Sequence, residues 1–413
     1  MTAVDTREET DEQAAFRAEA RAWLEANAPR RKHDSAEFKR RVTARADDEP
    51  ASVAAARDWQ RRIHDAGFAG ISVPREYGGR GLPAALERVW RQEVVRYEID
   101  LGVFSVALGM VVPTILGHGT EDQKRRFLPP VLRGEEVWCQ LFSEPGAGSD
   151  LAGLTTRAER DGEEWVVNGQ KVWNSFAHLA DWGILLARTN WDVPKHRGIT
   201  YFLVDMHAPG LEARPLRQIT GVAHFNETFF TDVRIPADQV LGQVNGGWGV
   251  AQTTLMNERA LIGGAAAALG FRDYLTLARA YGRTADPAVR QALAATYTRF
   301  EILRWLSQRA QAAQRAGKPL GPESSVAKLA ISQHAALTGD VSLAIEGAAG
   351  MLIGPDAFED GFWQQQFLGQ WGIRIGGGTE QVQRNILGER VLGLPPEPRP
   401  DKTEPFRSVP KNA

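Results

Sequence analysis

The stretch Gln140-Leu141-Phe142-Ser143-Glu144-Pro145-Gly146-Ala147-Gly148-Ser149-Asp150 is where residue types and spacing first suit ligand chemistry. Its Gly-X-Gly invites a dinucleotide reading, in which backbone N–H groups at a helix start cradle a pyrophosphate. The spacing speaks against it. The third glycine falls at Gly153, and hairpin signals follow where the fingerprint requires a helix. Taken alone, the stretch reads as a turn leaving a β-strand. A second run, Gly376-Gly377-Gly378, opens a helical segment and suits phosphate equally as it suits a simple turn. Metal chemistry lacks its donors, since the eight histidines show neither His-x-x-His nor His-Glu-x-x-His spacing. Cys139 lies in the apolar strand Val137–Phe142 and reads as a core thiol, and His178 reads as a polar loop residue. No Gly-x-Ser-x-Gly elbow supports hydrolysis.

The elements around these segments change character twice. In Ala14–Ala28, Phe16, Ala20, Trp23 and Leu24 form an amphipathic stripe, repeated in Ala51–Ala66 and Leu82–Tyr97 around the breakers Val73–Gly79. Leu101–Leu116 reads as a helix buried on every side, and Glu121–Leu132 as a short one. From Glu136 to Val244 the runs become short and β-branched or aromatic. There Asp161-Gly162 and Asn168-Gly169 bracket Glu163–Asn168 as hairpin signals. Trp182–Arg188, Gly198–Asp205 and Asn226–Val233 read as further strands. Long Ala-rich helices are expected over Val250–Ala280, Pro287–Ala316, Gly321–Ala349 and Gln381–Val391, packed as a bundle. The expected architecture is an α+β multidomain chain. A helical domain covers 1–135, a β-barrel or sandwich 136–244 and a four-helix bundle 245–393, and 394–413 is an extended tail.

Composition narrows the function classes. With 413 residues the chain exceeds one ordinary core, and 43% hydrophobic with 24% charged residues describes a globular protein. Lys+Arg 49 against Asp+Glu 51 gives a net charge of −2, so no charge bias points to nucleic acid or an anionic membrane. No apolar run approaches the roughly 20 residues of a spanning helix. A single cysteine excludes a disulfide framework and suits a reducing cytosol, so a cytoplasmic location is expected. The acidic Met1–Gln13 lacks the apolar core of a signal peptide and the arginines of a transit peptide.

Twenty residues beyond the first glycine-containing stretch comes Asn168-Gly169-Gln170-Lys171-Val172-Trp173-Asn174-Ser175. Together the two resemble the flavin-binding signatures of the acyl-CoA dehydrogenase family, whose α–β–α order is the one read above. Agreement extends to Pro74–Gly79, Gly117–Leu128, Asn226–Pro236 with Asn245–Ala251, and Gly376–Pro395, covering roughly residues 14–395. The resemblance implies FAD, with Gln140, Phe142 and Ser143 lining the ring and Gly148, Ser149 and Asn174 contributing to the cofactor site. Trp173 would pack against the flavin and Ser175 would hydrogen-bond near N5. Ser149 also resembles the serine that touches the CoA portion. Cofactor contacts from a neighbouring subunit would come from Arg283, Gln291, Gly347, Thr379 and Gln381. Arg283 departs from the pattern, because Thr284-Ala285-Asp286-Pro287 replaces the more usual Phe-Gly element.

The base is the larger departure. Most family members place a catalytic glutamate just before the Gly-Thr of the last motif, but here that stretch reads Arg374-Ile375-Gly376-Gly377-Gly378-Thr379. A minority, including the isovaleryl-CoA and long-chain dehydrogenases, carry it on another helix directly before an arginine, where this chain has Glu258-Arg259. By itself a Glu-Arg pair on a helix reads as surface charge. The resemblance implies instead that Glu258 takes the α-proton of an acyl thioester while hydride leaves the β-carbon for flavin N5. Gly377 would supply a backbone N–H to the thioester carbonyl, and Arg259 would contact CoA.

The expected enzyme is therefore an FAD-dependent dehydrogenase acting on an acyl-CoA or acyl-carrier-protein thioester. It would pass electrons to an electron-transferring flavoprotein or similar acceptor and assemble as a homotetramer or homodimer. Two rivals stand beside it: a flavin oxidase or monooxygenase on the same scaffold, and a non-catalytic partner subunit of a hetero-oligomeric dehydrogenase.

Overall fold

The structure, a computed structural model, describes residues 9–30, 49–265, 269–315, 321–322, 324–399 and 402–409. These pack as two compact units. One gathers the residues up to Glu258 together with those from Arg399 onward, and the other runs from Arg259 to Pro398.

The first unit begins with helices α1 (Asp11–Asn27), α2 (Glu49–Asp65), α3 (Ala84–Val94), α4 (Val112–His118) and α5 (Glu121–Leu132). Two of them start on reciprocal caps, Thr10 with Gln13 and Thr120 with Gln123, in which each side chain bonds the other's backbone N–H. The continuous helix expected over Leu101–Leu116 is instead a 3₁₀ turn at Gly102–Phe104, a π turn at Ala107–Val111 and then α4. Apolarity on all faces marked its burial but not its pitch. Gln123 donates to the carbonyls of Asp238 (2.8 Å) and Val240 (3.0 Å), tying α5 to the β-domain.

That β-domain is one seven-stranded sheet of β1 (Trp138–Leu141), β2 (Arg157–Asp161), β3 (Glu164–Ser175), β4 (Trp182–Arg188), β5 (Ile199–Asp205), β6 (Leu211–Leu216) and β7 (Phe225–Pro236). Order runs β1-β4-β2-β3-β7-β6, with β5 on β4. Asp161-Gly162 makes the expected hairpin, with Gly162 at φ 61°. Asn168-Gly169 does not turn the chain. It lies inside β3, where the register slips against β7 and the Asn168 amide pairs with Asp232 at 2.9 and 3.0 Å. Gly169 is required there for space, since a Cβ would fall 2.5 Å from Thr156 Oγ1.

Helix α6 (Gly247–Ala265) runs across the division between the two compact units, which falls after Glu258. Its first turns bury Val250, Ala251 and Thr254. Gly247 makes this approach feasible, because a Cβ there would sit 2.6 Å from the backbone of Thr200 and Tyr201 on β5.

The second unit holds α7 (Phe271–Ala280), α8 (Pro287–Arg315), α9 (Ser324–Glu346), α10 (Phe362–Ile375) and α11 (Glu380–Ile386). The helix expected over Val250–Ala280 is two helices; Gly270 N bonds the Asp273 carboxylate at 2.7 Å and begins α7. The sequence signals missed α10, whose Phe362-Trp363-Gln364-Gln365-Gln366 opening mixes aromatic and polar residues without a clean stripe. Phe362 and Trp363 nonetheless lie at the centre of this unit's core with Tyr274, Leu277 and Ile345. The tail is not wholly extended: Phe406–Ser408 forms a 3₁₀ turn with Phe406 buried. Among the described residues, no helix is long and apolar enough to cross a membrane.

Candidate functional site

The first unit brings the β-strand candidates and the glutamate together. Glu258, half-buried on α6, accepts a hydrogen bond from Gln140 Nε2 on β1 at 3.4 Å. From β3, Asn174 Nδ2 donates to the Gln140 carbonyl at 2.8 Å. Asn174 itself is buried, and its Oδ1 accepts from Thr228 at 3.0 Å. Its amide is thus tied to β1 and β7 from within the sheet. Phe142 is likewise buried, edge-on to Tyr201 at 5.7 Å, so its ring supports the surface from beneath.

Trp173 is held in an unusual way. Between Val172 and Asn174 the register against β7 slips by one residue, making Trp173 a bulge on β3. Its φ is +64°, in the left-handed region that bulky residues avoid, and its side chain is 60% exposed. Phe225 meets the ring edge-on, 5.9 Å between centroids. An exposed indole on strained backbone gains little from the fold alone. It is the feature expected where a flat ligand stacks on the sheet.

Two buried networks hold this surface. Lys171, fully buried, donates to the Phe142 carbonyl and to Glu144 Oε1, both at 2.9 Å. Glu144 also accepts from Thr155 N (2.7 Å), Thr155 Oγ1 (2.9 Å) and Thr156 N (2.8 Å). Burial opposes ionisation of Glu144, but the Lys171 charge and these donors outweigh it and hold the carboxyl down at about 2. Reciprocal backbone bonds between Glu144 and Ala147 close a tight turn that presents Gly146, Gly148, Ser149 and Asp150 to solvent. A Cβ added at Gly146 or Gly148 would meet nothing within 4 Å, so open space faces both. In the second network Thr254 meets Thr114 and Tyr201, each at 3.0 Å, fixing α6 one helical turn before Glu258.

In the second unit, Arg259 is half-buried and Gln291 exposed. Arg283 is committed elsewhere: it donates to the carbonyls of Ala344 (2.6 Å) and Ile345 (3.4 Å), capping α9, and pairs with Asp286 at 2.6 Å. Asp286, its carboxylate partner, lies in the segment that departs from the family pattern. Gly347, at φ +63°, turns the chain just past that cap. Gly377 and Gly378 have φ of +67° and +96°, and Thr379 caps α11 by accepting from Val382 N at 3.3 Å. Gln383, buried, donates to the carbonyls of Gly377 (3.2 Å) and Gly378 (3.3 Å), while Gln381 stays exposed. Glu380 pairs with Arg374 (3.0 Å) and Arg384 (3.2 Å), which hold its carboxyl below the ordinary range against the opposing effect of burial.

Sequence reasoning gave no role to Lys171, Glu144 or Thr254. Lys171 had a local signal, an ionisable residue within a buried strand, but nothing nearby in sequence names its partner. Among the described residues no His, Cys, Asp and Glu cluster could hold a metal ion.

With this geometry in place, comparison with known proteins is specific. Residues 10–135, 139–233 and 245–392 match the models described as the acyl-CoA dehydrogenase N-terminal, middle and C-terminal domains. Acyl-CoA dehydrogenase IpdE1 of Mycobacterium tuberculosis is 36% identical over 397 residues, 92% of this chain and 98% of that one. The solved Tcur3481-Tcur3483 steroid ACAD superposes with a TM-score of 0.79 at 32% identity, covering 94% of this chain and 99% of that one. The ChsE4-ChsE5 complex from Mycobacterium tuberculosis gives 0.73 at 29%, covering 94% and 98%.

Proposed function

Because the chain belongs to the acyl-CoA dehydrogenase family, we propose that it desaturates an acyl-CoA thioester between its α and β carbons, with Glu258 as the base. Enzymes of this family use FAD, which when bound accepts the hydride that leaves the β-carbon. The exposed, strained Trp173 beside Ser175 and the open Gly146–Asp150 turn are a surface that fits such a cofactor.

One observation carries the choice of base: the Glu258 carboxylate lies 3.4 Å from Gln140 Nε2, at the end of the strand that leads into that turn. Gln140 thus orients the carboxylate, and Thr254 fixes the helix that bears it. Glu380 is already spent on Arg374 and Arg384, and Gly376–Gly378 offers no carboxylate. Gly377 is assigned the N–H that polarises the thioester carbonyl. Arg259 is assigned to CoA, and Gln291, Gly347, Thr379 and Gln381 to the cofactor's distal part. For the acyl group we favour a bulky steroid-type thioester, since one of the solved relatives is a steroid ACAD. Anaerobic bleaching of the yellow protein by a panel of straight-chain and steroid-side-chain acyl-CoA thioesters tests this. Bleaching by short straight chains alone would refute it.

Trp173→Gly separates function from fold. Relief of the left-handed strain should stabilise the flavin-free protein by ~1 kcal/mol or more. Loss of the stacking ring should lower FAD per chain and shift the visible spectrum. If flavin content and spectrum stay as in the parent, the Trp173 assignment fails.

Assembly has a specific second reading, because two of the solved relatives are named as pairs of components. The family resemblance assigns Gln291, Gly347, Thr379 and Gln381 to the cofactor of a neighbouring subunit, so FAD should be retained by an oligomer and lost on its dissociation. A monomer that sediments with stoichiometric FAD would rule out shared sites. A colourless oligomer that turns yellow only on adding a second, related chain would establish the two-component form.

A further inference from the structure

The C-terminal segment is built into the β-domain. Phe406 is 3% exposed, its N–H bonds the Val193 carbonyl at 2.9 Å, and Arg407 N bonds the Trp191 carbonyl at 3.0 Å. The Arg407 guanidinium pairs with Asp192 at 2.7 Å. The Phe406 ring lies under the Arg188 guanidinium, 3.5 Å from its centroid, with Trp191 at 5.5 Å. Each contact falls on the end of β4 or on the connection from it to β5.

Arg188 is the hub. Fully buried, it donates to the carbonyls of Ala152 (2.6 Å), Leu154 (3.0 Å) and Lys195 (3.1 Å). Lys195 in turn reaches back to both carboxylate oxygens of Asp150 at 2.8 Å. The open turn ending at Ser149–Asp150 is thereby held from both sides through one guanidinium. A buried guanidinium with an aromatic ring beneath it is confined to one plane, and that plane sets where its three carbonyl partners lie.

We infer that the segment 402–409 is an intramolecular clasp that, through Phe406 and Arg188, positions the Ser149–Asp150 turn to receive the CoA portion of the thioester. Phe406 and Arg188 are positioning residues. Neither touches the reacting carbons, so loosening them acts on binding and leaves chemistry at saturation intact. The inference rests on the reading of Ser149 as a CoA contact.

The test uses the full-length flavoprotein, with coenzyme A itself as the probe for affinity and an active acyl-CoA for kinetics. Phe406→Ala should weaken coenzyme A binding on the order of tenfold and raise KM equally, with kcat and FAD per chain unchanged. Phe406→Tyr, which keeps the ring, should restore parental affinity. Arg407→Ser breaks only the exposed pair with Asp192 and should weaken binding about two- to threefold; it serves if Phe406→Ala does not fold. Unaltered affinity in Phe406→Ala, or in Arg407→Ser where that variant stands in, overturns the clasp, as does an equal fall in kcat. Ser149→Ala separates the two layers. If Ser149→Ala weakens binding and Phe406→Ala does not, the clasp is wrong. If only Phe406→Ala weakens it, the Ser149 hydroxyl is not the CoA contact, and the inference falls with that reading while Phe406 remains coupled to binding.

Discussion

Glu258→Gln is expected to slow reduction of the bound flavin by an acyl thioester by at least ~10²–10⁴-fold, the usual contribution of a positioned base. The substitution keeps the side chain's size, and the new amide oxygen still accepts from Gln140 Nε2, now 3.4 Å from the carboxylate. What it loses is the capacity to take the α-proton. The loss belongs to the transition state, so single-turnover bleaching should slow while the thioester's dissociation constant stays nearly the same. Glu380→Gln is the control. Its carboxylate is held by Arg374 and Arg384, so a small effect is expected. Gly377→Glu in the Glu258→Gln background restores a carboxylate at the more usual family position, though against a φ of +67°, and partial recovery of the rate is expected. Near-normal bleaching by Glu258→Gln would falsify the base assignment and place the α-proton's acceptor on another side chain.

The sequence carried the order of the elements more fully than their joints. Trp182–Arg188 is β4 to the residue, and Glu121–Leu132 is α5, because a short apolar run and a helix cap are local properties. Asn168-Gly169 misled for a physical reason: the same dipeptide that permits a two-residue turn also permits a strand to cross close to Thr156. Helix α10 was invisible because Phe362 and Trp363 are chosen by a core formed with distant residues rather than by periodicity. At the site, residue identities were legible and partners were not. Nothing in the order of residues says that Asn174 turns inward to Gln140 and Thr228, or that Arg283 spends itself on the end of α9. Long-range pairings of this kind exist only once the sheet register and helix packing are set.

Lys171→Met is the stability counterpart of the Glu258 experiment. The Lys171 ammonium is the cation hydrogen-bonded to Glu144 in a buried pair; without it Glu144 keeps neutral donors from Thr155 and Thr156 and the longer-range attraction of Arg188. Removing one partner of a buried pair leaves an uncompensated charge, at a cost on the order of 3–5 kcal/mol. Lys171→Arg should not rescue it, since a planar guanidinium does not fit a site shaped for one Nζ bonded to both Phe142 O and Glu144. The pH dependence fixes the cause. Glu144 titrates at about 2 in the folded protein, below the ordinary 4.5, so its stabilisation is complete above the unfolded value and is lost as pH falls from there toward 2. In Lys171→Met burial acts without the opposing charge, and the carboxyl becomes protonated at higher pH. Denaturant unfolding should therefore show a parent-to-variant gap that is widest near neutrality and narrows as pH falls toward about 2. A gap under ~1 kcal/mol at neutral pH, within the range of an exposed pair, would show that this pair does not hold the sheet. The same ammonium fixes Phe142 and Glu144, which bracket Ser143, and it sits two residues before Trp173, so flavin retention should fall with stability in this variant. In Glu258→Gln flavin retention should be untouched, so the two variants separate the residue that performs the chemistry from those that build its platform.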